Sequence, residues 1–81
     1  MRGQKAEVWG DGRSLGVLLS WELTATVQNE FRIHCDDSDL ADVLTLPEHL
    51  RPELTVRAPV GNEFILFPVR MLDNKTFVSR R

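Results

Sequence analysis

From Leu15 to Val27 every odd position is apolar: Leu15, Val17, Leu19, Trp21, Leu23, Ala25 and Val27. The even set, Gly16, Leu18, Ser20, Glu22, Thr24 and Thr26, is mostly small or polar. A period of two is the mark of a strand with one buried face. Thirteen residues in extended conformation would run about 40 Å, whereas a domain of this length has a radius of gyration near ~12 Å. The strand must therefore bend, at Gly16 or near Ser20, as strands do at the corners of small barrels. The pattern predicts a curved, closing sheet.

The neighbouring segments supply the other strands. "KAEVW" runs into "GDG", a Gly/Asp turn suited to positive φ, and "RSLGVLLSW" leads away, so a hairpin is expected there. After Val27 a three-residue loop, Gln28-Asn29-Glu30, would pair Val27 with Phe31, Ala25 with Ile33 and Leu23 with Cys35 inside, and set Thr26 beside Arg32 and Thr24 beside His34 outside. Residues 38–45 are ambiguous. Ser38 or Asp39 could cap a short helix that turns Leu40, Val43 and Leu44 inward; equally, "DVLTL" could be a strand followed by a helical turn over Leu46 to Leu50, opened by Pro47 and ended by Pro52. The helical turn over Leu46 to Leu50 is favoured, and helix and strand stay open for 38–45. Strands then follow over Glu53 to Val60, Glu63 to Leu72 and Lys75 to Arg81, with turns at Gly61-Asn62 and Asp73-Asn74. The expected fold is mainly β, with β-rich α+β as the alternative. It is a small, curved antiparallel sheet or open barrel of five to six strands, with one short helix near residues 46–50, in a single domain over 1–81.

The run "EFILFPVRML" is apolar on both faces: Ile65, Phe67, Val69 and Met71 on one, Phe64, Leu66 and Leu72 on the other. Pro68 has no amide hydrogen for a ladder, which predicts an edge strand or a bulge, and Pro59 weakens the neighbouring strand's pairing. An apolar edge strand is a liability unless it is covered. A second copy of the chain in a closed two-fold dimer is the expected cover, through Phe64, Leu66, Phe67, Pro68 and Phe77. The competing cover is the short helix at Leu46 to Leu50.

Composition narrows the setting. A chain of 81 residues buries only roughly 60–65% of its unfolded surface, and small cores of this kind are commonly supplemented by disulfides, metals or association. The single Cys35 excludes an internal disulfide and suits a reducing compartment. "MRGQKAEVWG" has no apolar run of signal-peptide length, and no segment reaches the roughly 18 apolar residues of a membrane span. A soluble cytoplasmic protein is expected. The formal charge of −2 lacks the basic footprint of a nucleic-acid binder. Charge is nonetheless uneven: six acids against Arg51 between Asp36 and Glu53 (1 − 6 = −5), and four bases against Asp73 between Arg70 and Arg81 (4 − 1 = +3).

Reactive side chains do not assemble into a recognisable centre. His34 and Cys35 are adjacent on a strand and so point to opposite faces, which argues against a Cys/His nucleophile. With His49 they fall short of a zinc site's three or four ligands. "DDSDLAD" offers carboxylates but lacks the glycine and distal glutamate of a calcium loop. Phosphate loops, GxSxG and HExxH are missing. No enzyme activity, metal or other cofactor is expected. The expected function is a small protein-interaction or ligand-binding module that self-associates through the 63–72 strand, with Trp9 and Phe77 as candidate aromatic anchors. The alternative is a nucleic-acid-binding regulator using Arg32, His34, Arg57, Arg70, Arg80 and Arg81. "LTLPEHLR", Leu44 to Arg51, resembles the strand, proline and short helix of swapped-hairpin regulators of the AbrB kind, without their following Gly-Asp turn.

Overall fold

A computed structural model describes residues 1–26, 30–36 and 38–80. Six strands close into an antiparallel barrel in the order β1-β2-β3-β6-β5-β4. β1 (Arg2–Gly10) and β2 (Arg13–Ala25) form the first hairpin. Its turn residues Asp11 and Gly12 both have positive φ, 54° and 76°. A type I′ turn needs that at both central positions, and its twist matches the strands it joins.

The β1–β2 ladder is irregular at two places, beside Gly16 and next to Ser20, the two alternatives for a bend in β2. β1 and β2 hold one register from Arg2↔Glu22 to Val8↔Gly16, then continue with Trp9↔Ser14, which leaves Leu15 as the extra residue of a bulge beside Gly16. Further along, Lys5 takes a left-handed φ of 58° inside β1, a conformation that costs a non-glycine residue of order 1 kcal/mol. Past this kink the inward face shifts by one residue on both strands. Ala6, Val8, Leu18 and Trp21 are buried, while Val17 and Leu19 are exposed. The expectation of one continuous inward face on the odd positions is thus corrected, because strict alternation does not survive a kink. Trp21 turns inward over Gly3, where an added Cβ would lie 2.7 Å from the indole. Only glycine leaves the ring that space.

β3 (Phe31–Cys35) pairs with β2 as Ala25↔Phe31, Leu23↔Ile33 and Trp21↔Cys35. This register is displaced by two residues from the expected one. A slip of two preserves every side chain's face, so the apolar pattern alone does not discriminate between the two registers. The Thr26 amide donates to the Glu30 carbonyl at 2.8 Å, and the expected Gln28-Asn29 turn lies outside the described residues.

Of the two alternatives for residues 38–45, the structure shows the helix. α1 (Ala41–Leu44) turns Leu40 and Val43 into the core, with Leu44 packed against it, the i, i+3, i+4 spacing of a helical face. Buried Ser38 accepts the Leu40 amide at 3.3 Å. The turn expected at 46–50 is a 3-10 turn, Glu48–Leu50. Arg51 ties the two turns together by donating to the Leu44 and Leu46 carbonyls. With helix in place of strand, the AbrB-like order of strand, proline and helix is not formed.

β4 (Leu54–Val60), β5 (Glu63–Asp73) and β6 (Thr76–Ser79) complete the barrel. Gly61, with φ 61°, supplies the positive angle at the first position of the two-residue β4–β5 turn. β5 is not an edge strand, contrary to the expectation from Pro68. It pairs with β4 from Val60↔Glu63 to Leu54↔Val69 and with β6 from Val69↔Ser79 onward. The proline is tolerated because it stands where β6 ends. Its carbonyl accepts the Arg80 amide at 3.0 Å, and its missing N–H falls on the side where the ladder stops. Inside the barrel, Val8, Leu18, Ile33, Leu54, Val56, Val69 and Phe77 are fully buried.

Candidate interaction surface

Three pairings carry the outer wall across four strands. Glu7 of β1 stands beside Val17 of β2 and Arg57 of β4, and Arg57 stands beside Leu66 of β5. Pro59 pairs with Phe64 in the next position. Exposure is high where the side chains are apolar: Leu19 70%, Leu66 62%, Phe64 54% and Val17 45%. Arg57 is the hinge of the polar centre. Its guanidinium lies 3.8 Å above the Phe64 ring and 3.3 Å from the Glu7 carboxylate, a half-exposed arrangement of cation–π contact and ion pair. Beside Leu66 and Arg57 an open hollow of about 600 Å³ is lined by Trp9, Gly12 and Thr55. Trp9 is half-buried on this wall, while Trp21 belongs to the core.

The residues expected at an interface separate into three positions. Phe64, Leu66 and Pro68 are exposed on the outer wall. Phe67 faces inward and is half-buried, edge-to-face with Phe31 at 5.4 Å between ring centroids. Phe77 is fully buried and is corrected from surface anchor to core, since β6 turns it inward beside Met71 and Ile33. Val17 and Leu19 were not expected on this surface; they lie between the Leu15 bulge and the Lys5 kink, each of which shifts the inward face by one residue. The 3-10 turn Glu48–Leu50 does not cover the wall. It sits near Arg70, Met71 and Leu72, the other half of β5.

The basic residues do not form one surface. Arg32 and Arg70 both stand opposite Val78 on the β3–β6–β5 wall, and His34 stands opposite Glu22 and Thr76. Arg57 is on the opposite wall with Glu7. Arg80 binds Glu53 at 2.8 Å and donates to the Leu54 carbonyl. Arg81 lies outside the described residues. His34 is exposed, whereas Cys35 is half-buried with its thiol 3.7 Å from the Asn74 carbonyl, so the two do not share a site. Among the described residues, no three His, Cys, Asp or Glu side chains gather to hold a metal, and no helix is long and apolar enough to cross a membrane.

These features define a small, closed, six-stranded antiparallel barrel with one largely apolar outer wall. Comparison with protein-family models, with curated proteins and with solved structures finds no match for the chain.

Proposed function

We propose that the barrel is a non-enzymatic interaction module that self-associates through the outer wall of β1, β2, β4 and β5. One observation carries this: Phe64, Leu66, Val17 and Leu19 are exposed together around a single ion pair. Contiguous apolar patches of this kind are uncommon on monomers, and a two-fold dimer is the commonest way to bury one. A standard interface buries about 800 Å² per partner, against 5502 Å² for the whole chain, so the wall rather than one strand must take part. The lone thiol suits a cytoplasmic setting. Light scattering on the Leu66→Asp variant tests the proposal. A folded monomer from a dimeric parent is the expected result, and an unchanged mass contradicts it.

A second function has one specific observation in its favour, Arg32 and Arg70 on either side of Val78. It would place single-stranded nucleic acid on the β3–β6–β5 wall. Salt-sensitive retention of mixed-sequence strands, lost in Arg32→Ala/Arg70→Ala, is its expected signature; no retention at low salt removes it.

A further inference from the structure

The ladder registers put Val17, Glu7, Arg57 and Leu66 side by side in one row across β2, β1, β4 and β5. Glu7 and Arg57 point outward because Ala6, Val8, Val56 and Ala58 on either side of them are buried, and Val17 and Leu66 are exposed. From either end the row runs apolar, charged, charged, apolar, and its two charges differ in sign. It is symmetric in apolarity about its midpoint and antisymmetric in charge. A surface with that pattern is complementary to itself. Two positions along the strands on one side, Leu19 of β2 and Phe64 of β5 are exposed at the two flanks. On the other side Trp9 stands between Ser14 and Thr55, and Thr55 stands beside Pro68, a row without charge.

We infer that two copies stack these walls face to face about a two-fold axis that runs along the strands, between β1 and β4, at the Glu7–Arg57 pair. The inference rests on the self-association proposed above and gives it a geometry that buries the wall. A two-fold interface sets residue i on residue j and j on i. Here Val17 lies on Leu66 of the second copy, Leu19 on its Phe64, and Glu7 on its Arg57. Apolar side chains meet apolar ones at both flanks. At the centre the two Glu7 and two Arg57 side chains form a ring in which every neighbour has the opposite sign. Within one chain Arg57 Nη1 donates to Glu7 Oε1 at 3.3 Å; the second carboxylate oxygen and the other donors of the guanidinium fork close the ring. Charge also selects the axis. Sheets packed face to face keep their strands within about 30° of each other, which leaves one axis along the strands and one across them. The axis across them would set Glu7 on Glu7 and Arg57 on Arg57, like charge on like. Under the chosen axis Trp9 of each copy lies over Thr55 of the other, so the hollow lined by Trp9, Thr55 and Leu66 is covered as well. A different protein could cover the apolar flanks, but the reversal of sign about the row's midpoint is a match this chain itself supplies.

Charge reversal read by light scattering, together with cross-linking, tests this packing. Glu7→Arg makes the ring all basic and Arg57→Glu makes it all acidic, so each variant alone should self-associate at least about tenfold more weakly than the wild type. An equimolar mixture of the two restores alternating signs and should associate as the wild type does. For the axis, Cys35→Ser chains carrying either Val17→Cys or Leu66→Cys are treated with a short bismaleimide. A mixture of the two should cross-link, because facing sheets lie about 10 Å apart. Neither should cross-link to itself, because like positions also stand three strand spacings apart, about 14 Å. A dimer that tolerates both single reversals, or self-cross-linking of either chain, overturns this packing and leaves the wall-mediated association standing. A wild-type monomer at every concentration overturns both.

Discussion

The two halves of β5 have similar sequences and opposite circumstances. Val69–Asp73 pairs with β6 and meets β4 only at Val69, and it sends Val69 and Met71 into the core. Among the described residues Glu63–Phe67 pairs with β4, and its outward side chains Phe64 and Leu66 stay in solvent. Pro68 marks the boundary. Apolar content alone does not decide whether a strand residue is core; the face it takes along the strand does, and Leu72 in the second half is exposed like Phe64 and Leu66 in the first. The first half carries the more exposed of the strand's apolar side chains, Phe64 and Leu66 against Leu72.

Substitutions should separate the halves by size of effect. Phe77→Ala, opposite Met71 of the second half, removes a buried ring and is expected to cost about 3–5 kcal/mol, seen as an early denaturant midpoint. A loss below ~1 kcal/mol would mean that the barrel interior is not packed as described. Gly3→Ala forces a Cβ to 2.7 Å from Trp21, and overpacking of this kind should cost about 1–3 kcal/mol. Leu66→Asp should change intrinsic monomer stability by no more than about 0.5 kcal/mol, as surface positions do, while abolishing association. Global unfolding of that variant would erase the distinction between the halves. Smallest of all, the Glu7–Arg57 pair should show a double-mutant coupling of about 0.2–1 kcal/mol that fades with added salt.

The barrel was largely legible in the sequence because its signals are local. Asp11-Gly12 and Gly61 announced tight turns, the length of the Leu15 to Val27 run required bends, and the face division of β5 followed from its period. What failed to show has physical reasons. The β2–β3 register differs by an even slip, which leaves the polar pattern unchanged. "DVLTL" is apolar at both strand and helix spacing, and its helical form depends on where Leu40 and Val43 find the core. Pro68 predicted an edge, and its strand overhangs β6 only over the first half. Val17 and Leu19 surfaced between the Leu15 bulge and the left-handed backbone at Lys5, a residue whose side chain gives no hint of positive φ. The apolar wall was therefore only half visible, as Phe64 and Leu66 without their neighbours on β2.

Light scattering on the wild-type chain across a concentration series is the most direct measurement. Self-association through the first half of β5 and its wall predicts a mass rising toward twice 9.3 kDa. A mass of 9.3 kDa at all concentrations would contradict it.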